Sequence, residues 1–336
     1  MATVILKRVP ELSILVAVTL IAYMAMGIFS TVSGTPLLSG NQVWAVIFAS
    51  FLLSTAIAIV AVLGGVGGGV IFTPVVLGFT NVDSLLVRAT GLVVAMFSGL
   101  VSSGPFMRKG LADIRIVFFC AIPIILGGVS GAIAAIQLAS TMGETGDAIV
   151  RLSLGLLLVF IAAMFILGGS KNEYPEVKKT DAISKMLRLQ CAYHEDSLGR
   201  SVNYQATRAV PGAILLLLVG FVGGFFGLGG GWAVVPVLNL VMTMPLKVSA
   251  ASSGVLLAMG NAAAIWPMIM SGALIALLAA PWMIGQVIGG IMGAHILAKI
   301  KAGFVRIILI ILLILTSIKL IGRGIEVLAG IDIPII

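Results

Sequence analysis

Two glycine clusters are the residues best placed to do chemistry in this chain. Gly64-Gly65-Val66-Gly67-Gly68-Gly69 precedes Pro74, and Gly227-Leu228-Gly229-Gly230-Gly231 precedes Pro236. Glycine lets a backbone approach a ligand closely, and a helix that starts at such a break presents amides with no partner of their own. Those amides, together with the helix dipole, attract anions. Glycines also serve close packing between membrane helices, but packing does not require both a short segment and a following proline. The anion-binding reading takes Gly67, Gly68, Gly69, Gly229, Gly230 and Gly231 as backbone contacts. Thr73, Thr90, Ser252, Ser253 and Asn261 are its side-chain contacts, although serine and threonine in such runs more often bond their own helix carbonyls. Asn261 and Gln286 are costly in hydrocarbon unless partnered, so each either meets a cargo or bonds another helix. Arg88 stands near the start of an apolar stretch, just after Asp83. It attracts the anion, or pairs with Asp83 when the site is empty, or snorkels to the interface. Asp83 is the main candidate for proton coupling.

No catalytic constellation accompanies these residues. The glycine clusters lack the Lys-Ser/Thr ending of a phosphate-binding loop, and no strand precedes them. Cys191 and His194 are too few to hold zinc, and Cys120 lies in an apolar run. The expectation is a protein that is not an enzyme and uses no cofactor or metal.

The elements that position these residues must be membrane helices. The chain has 336 residues, of which 60% are hydrophobic and 10% charged, with a mean hydropathy of +1.22. Soluble domains carry about 25% charged residues, so lipid is the solvent for most of this chain. Apolar runs cover 12–32, 43–63, 70–80, 85–104, 114–136, 148–168, 211–226, 232–244, 249–271, 275–297 and 304–322. Most have the ~17–25 residues that a helix needs to cross the hydrocarbon. Runs 70–80 and 232–244 are too short, and each follows a glycine cluster. They are expected to be broken helices, forming re-entrant hairpins with 85–104 and 249–271. The run at 12–32 follows Lys7 and Arg8 and reads as a retained first helix rather than a cleaved signal.

The two clusters belong to a duplication. Gly65–Pro74 aligns with Gly227–Pro236 at an offset of 162 (236 less 74). Thr90–Met96 aligns with Ser253–Met259, and Gly127–Ala132 with Gly289–Ala294, at nearly the same offset. The net charge of +8 sits in short segments between runs, which marks loops held on the cytoplasmic side rather than a nucleic-acid surface. By that rule the N-terminus, 105–115, 169–210 and 298–306 lie inside and the acidic turn 137–147 outside. Span 114–136 then runs outward and its partner 275–297 inward, so the halves are inverted. The same scheme leaves Lys319 and Arg323 on the outer side, against the rule.

The fold expected is therefore an all-α polytopic membrane protein, an inverted-repeat transporter with broken or re-entrant helices. Its parts are an extra leading helix in 1–40, a first repeat in 41–168 and a cytoplasmic linker loop in 169–210. A second, inverted repeat in 211–322 and a tail in 323–336 follow. The linker reads as flexible, or as opening a short amphipathic helix at Met186.

Segments Gly64–Pro74 with Arg88–Met96, and Gly223–Pro236 with Ala250–Met259, resemble the TauE/SafE family of sulfite and organosulfonate exporters, over roughly 40–325. The resemblance implies a membrane permease that moves sulfite, sulfoacetate or a similar organosulfonate outward, and hydropathy with the Lys7–Arg8 charge makes it a multi-pass protein of the inner membrane with its N-terminus cytoplasmic. A gradient-driven secondary carrier is the leading form. An anion channel, or a transporter of another small organic anion, is the alternative. The partners implied are the small anion and the lipid bilayer, with monomer or homodimer left open. The long 169–210 loop departs from the compact linker expected of the family.

Overall fold

The structure is a computed structural model that describes residues 40–64, 67–80, 82–108, 110–167, 181–195, 200–297 and 302–330. The expected leading helix at 12–32 and the last residues of the tail, 331–336, lie outside the described residues. The elements are α1 (Gly40–Gly64), α2 (Gly68–Phe79), α3 (Ser84–Arg108), α4 (Ile114–Leu167) and α5 (Ala182–Met186). Strands β1 (Gln190–Glu195) and β2 (Arg200–Gln205) follow. Then come α6 (Ala209–Phe226), α7 (Gly231–Pro236), a π-helical turn over Val237–Val241, α8 (Leu246–Met270), α9 (Ala276–Leu297) and α10 (Ala302–Ala329).

The helices are arranged for lipid. Ser84–Val101, Ile114–Ile166, Ala209–Phe226 and Leu246–Met270 are each long and apolar enough to cross a membrane. Phe48, Phe118, Ile122, Phe160 and Trp266 lie on the outer surface, where water would penalise them and acyl chains do not. The 54-residue α4 is two spans. Gly143 has φ 50° and ψ −124°. A Cβ on Gly146 would sit 3.0 Å from the Leu138 carbonyl oxygen, whereas eight residues of straight helix span about 12 Å. The chain therefore folds back at Gly143, and the polar turn expected over 137–147 shrinks to that residue.

The short helices begin at the glycines, not at the prolines. Pro74 lies inside α2, and Pro236 ends α7. A proline supplies no N–H to the ladder, so the backbone after Pro236 slips into the π turn. Each short helix doubles back along a long one. Gly68 faces Val94 and Ser98 while Gly91 faces Thr73, so α2 runs antiparallel to α3.

Element order recurs along the chain. Helices α3 and α8 start 162 residues apart (246 less 84), as do α4 and α9 (276 less 114). Packing is reciprocal: α4 lies on α6 and α9 on α1, while α10 lies on α4 and α8 on α3. Glycines set the spacing of these contacts. Gly127 meets Leu217 and Gly131 meets Phe221 and Phe225, so the first arm of α4 runs parallel to α6. Gly285 against Ser54 and Gly289 against Thr55 give α9 and α1 the same relation. Gly155 against Ile321 and Gly324 against Leu152 make the second arm of α4 antiparallel to α10. Helix α10 itself continues past the span end expected at 322, to Ala329.

The described part of 169–210 is folded, which corrects the expectation of a flexible linker. Strands β1 and β2 pair antiparallel with Gln190 opposite Gln205, burying Tyr193 and Tyr204 edge to face at 6.1 Å. Helix α5 ends at Met186 instead of starting there. Asp181 caps it, accepting from the Ser184 N–H and hydroxyl, and also accepts from Ala209 N–H at the first turn of α6. Thr207 N–H donates to the Met242 carbonyl, and the Thr207 and Thr243 hydroxyls are 2.8 Å apart. Thr243 has φ 53°, a left-handed conformation that a β-branched residue adopts only when its surroundings impose it.

Burial acts to raise the Asp181 carboxyl, but the hydrogen bonds from Ser184 and Ala209 outweigh it and hold the group below the usual carboxylate range. Its contribution is thus present at neutral pH and lost as pH falls through that depressed value. Asp181→Ala should raise amide exchange across 182–205 at pH 7, and the difference from wild type should shrink in acid. A second test concerns packing. A Cβ on Gly224 would collide with the Gly128 carbonyl oxygen, whereas one on Gly78 meets nothing within 4 Å. Gly224→Ala should lower the thermal midpoint, by a cost of about 1–3 kcal/mol, while Gly78→Ala leaves it unchanged or slightly raised.

Candidate functional site

Both breaks close on the same two side chains. Gly67 and Gly229, 162 residues apart (229 less 67), have φ 80° and 67°, the left-handed turn that admits glycine freely. The Gly68 N–H donates to Ser98 Oγ at 3.1 Å. A Cβ on Gly69 would sit 2.8 Å from Ala95 Cβ and 2.6 Å from the Leu228 carbonyl oxygen, so the first break abuts the second. A Cβ on Gly229 would sit 2.8 Å from that same Ala95 Cβ and 2.9 Å from Asn261 Nδ2. From α8, Leu257 lies at contact distance from equivalent points on Gly67 (3.8 Å) and Gly230 (3.9 Å). Ala95 and Leu257 fall in the middle of α3 and α8.

Two buried amides accompany the breaks. Asn261 is 5% exposed, and its Nδ2 has no hydrogen-bond partner among the described residues. It lines a cavity of about 10 Å³ with Ile124, Gly128, Gly220, Gly230 and Leu256. That is room for about one water. Gln286 is 1% exposed. Its Nε2 donates to the Ser54 carbonyl and hydroxyl, both at 3.3 Å, and the Ser54 hydroxyl donates in turn to the Trp282 carbonyl at 2.6 Å. Its Oε1 has no partner among the described residues and faces Gly68.

The other expected contacts divide. Thr73 joins the halves by donating to the Gly227 carbonyl at 2.8 Å. Thr90 and Ser253 donate to carbonyls of their own helices, Leu86 and Ala250. Ser252 is buried, with a hydroxyl that has no partner among the described residues. Gly231 opens α7 and is buried with it.

Arg88 is 1% exposed, which overturns the snorkelling expectation. Its guanidinium donates to the Ser84 carbonyl (3.2 Å) and hydroxyl (3.5 Å) and to the Phe225 carbonyl (3.2 Å), with the Phe225 ring centroid 5.6 Å away. Arg88 therefore holds the Phe225 carbonyl in the last turn of α6, immediately before the second break. The sign is favourable, a cation at the negative end of a helix dipole. Asp83 is exposed, and its Oδ1 accepts from the Leu86 N–H at 3.0 Å, capping α3.

Sequence reading missed a second cationic group. Arg151 donates to the Leu77 carbonyl and pairs with Asp147 at 2.9 Å. Arg323 donates to the Thr80 carbonyl at 2.9 Å, and Lys319 stands 4.5 Å above the Phe79 ring. Three cations thus gather at the carbonyl end of α2, while its amide end faces the other break. Asp147 four residues before Arg151 was a readable signal for the ion pair; the contact with α2 was not.

The chain matches the family described as "Sulfite exporter TauE/SafE" over residues 50–320. It is also 25% identical over 289 residues to "Probable membrane transporter protein YunE" of Bacillus subtilis (strain 168), covering 82% of this chain and 99% of that relative. No solved structure matches it.

Arg88→Gln should lower the thermal midpoint of the purified protein, at a cost of about 1–3 kcal/mol for leaving the Phe225 carbonyl unmet. Arg88→Lys should recover part of it. Unchanged melting in Arg88→Gln would mean that the guanidinium does not secure the end of α6.

Proposed function

Because this chain belongs to the TauE/SafE sulfite exporter family, we propose that it carries a small sulfur oxyanion, sulfite or an organosulfonate, outward by alternating access around the two glycine breaks. Membership makes it a multi-pass membrane transporter and not an enzyme. One observation carries the site: both breaks touch Ala95 and Leu257, halfway along helices long enough to span. That supports a midplane site at Gly67–Gly69 and Gly229–Gly231, with Asn261 as a donor; the Gly68 and Gly229 amides already donate to the Ser98 hydroxyl and the Gly223 carbonyl and would have to exchange those bonds for the cargo. The buried Ser252 hydroxyl is a further donor, the Thr73 hydroxyl joins only by releasing the Gly227 carbonyl, and Arg88 contributes positive charge at the end of α6.

The inverted arrangement is part of this reading. Repeat-equivalent helices pack antiparallel: the second arm of α4 on α10, and α3 on α8, where Gly99 meets Gly254 and Ala258 while Ala95 and Asn261 converge on Gly229. Equivalent helices related by an axis along the membrane normal would run parallel. Antiparallel contact supports an axis in the membrane plane, with the β1–β2 hairpin on the cytoplasmic side.

The cavity at the second break admits about one water and no sulfonate, which suits a carrier with its site closed. An open filter would keep a continuous path. Outward movement of an anion is driven by an inside-negative potential, worth about 2.3 kcal/mol per charge per 100 mV. Asp83, already engaged as a helix cap at the surface, would act in coupling only at an entrance.

In proteoliposomes, radiolabelled sulfite uptake should saturate and show counterflow. Asn261→Leu should slow it about tenfold or more, the size of one buried hydrogen bond, at equal amounts of folded protein. Non-saturating flux carrying a large current would replace the carrier with a channel. Full activity in Asn261→Leu would remove that residue from the site.

A further inference from the structure

Gln286 is oriented by its neighbours. The Ser54 carbonyl can only accept, so the group facing it must be the amide NH2, and the amide oxygen is then turned toward Gly68. That oxygen is buried, with no partner among the described residues. A buried acceptor without a partner is expensive, and the cost is recovered only if something arrives with a hydrogen to give. A bare oxyanion brings acceptors alone and meets this oxygen with like partial charge.

The second break offers the opposite polarity. There the unmet groups among the described residues include the Asn261 amide nitrogen and the Trp232 indole N–H, donors that suit an anionic oxygen. This contrast is not a product of the repeat. The position equivalent to Gln286 is Ile124 (286 less 162), and the one equivalent to Asn261 is Ser98 (261 less 163, the offset of Ser253–Met259 from Thr90–Met96), whose hydroxyl is taken by the Gly68 N–H. The same backbone frame has been furnished with an acceptor at one break and a donor at the other.

Resting on the reading of the breaks as the cargo site, we propose that the cargo is a small monoanion that itself carries an O–H or N–H. Gln286 is the residue that selects it. Hydrogensulfite and hydroxyalkanesulfonates have this chemistry; the sulfite dianion and simple alkanesulfonates do not. The oxyanion end is met by donors at the second break, and the O–H or N–H by the Gln286 oxygen at the first.

The test is competition with radiolabelled sulfite uptake in proteoliposomes, comparing 2-hydroxyethanesulfonate with ethanesulfonate. Wild type should favour the hydroxyl-bearing ion about tenfold or more. Gln286→Met, which keeps length and removes the acceptor, should bring the ratio close to one. Gln286→Glu, which keeps an acceptor, should preserve the preference. Each ratio is taken within one variant, so the yield of folded protein cancels, and the wild-type ratio decides even where a variant fails to fold. Equal competition in wild type overturns the proposal, as does competition by neither ion or a preference that survives in Gln286→Met. Sulfite carried saturably with a ratio of one sinks this inference alone; absence of any sulfite transport sinks the carrier reading beneath it.

Discussion

A peptide group inside a bilayer has to find its hydrogen-bond partner in the protein, because lipid supplies none. Continuous helices meet that requirement along their own length. This chain interrupts two of them at the same relative position, and most of the local structure serves to settle the debt in hydrogen bonds. Ser98 receives the Gly68 N–H, Thr73 reaches the Gly227 carbonyl, and Arg88 holds the Phe225 carbonyl. Among the described residues of the helices around the breaks, the buried groups left unmet include the Asn261 amide nitrogen, the Trp232 indole N–H, the Gln286 amide oxygen and the Ser252 hydroxyl.

The surrounding helices hold the interruptions in register by near-contact of backbones. Gly128, Gly220, Gly224 and Gly260 stand where α4, α6 and α8 meet, and Gly285 and Gly289 do the same between α9 and α1. Membrane helices gain little from excluding water against one another, so close van der Waals approach of small residues does the work instead. The glycines of this protein therefore play two parts. At Gly67 and Gly229 the torsion angle is what matters, and elsewhere it is the missing Cβ.

Much of this was legible in the residues, and the failures have physical causes. Short helices opening at the glycine clusters and the 162-residue recurrence follow from local composition, and the structure has both. Asn261 stood out because an amide in an apolar run needs a partner. The β1–β2 hairpin was missed because its polar strands, Gln190–Glu195 and Arg200–Gln205, resemble a solvated linker until Tyr193 and Tyr204 are seen packed together. Lys319 and Arg323 contradicted the loop-charge rule because that rule treats every cation as topological. Arg323 is instead committed to a carbonyl 243 residues away, and Lys319 to the Phe79 ring. Such long-range commitments leave no trace in spacing.

The far ends of the two short helices are finished unequally. Helix α2 ends among Arg151, Arg323 and Lys319, with charged donors on its last carbonyls. The α7 segment ends in a π turn and a left-handed Thr243, fastened by the Thr207 hydroxyl and amide. Hydrogen bonds from charged groups contribute about 1.5–3 kcal/mol and neutral ones about 0.5–1.5. A repeat that is symmetric in outline is thus anchored on one side by charge and on the other by a web of neutral bonds through Thr207, Asn239 and Ser249.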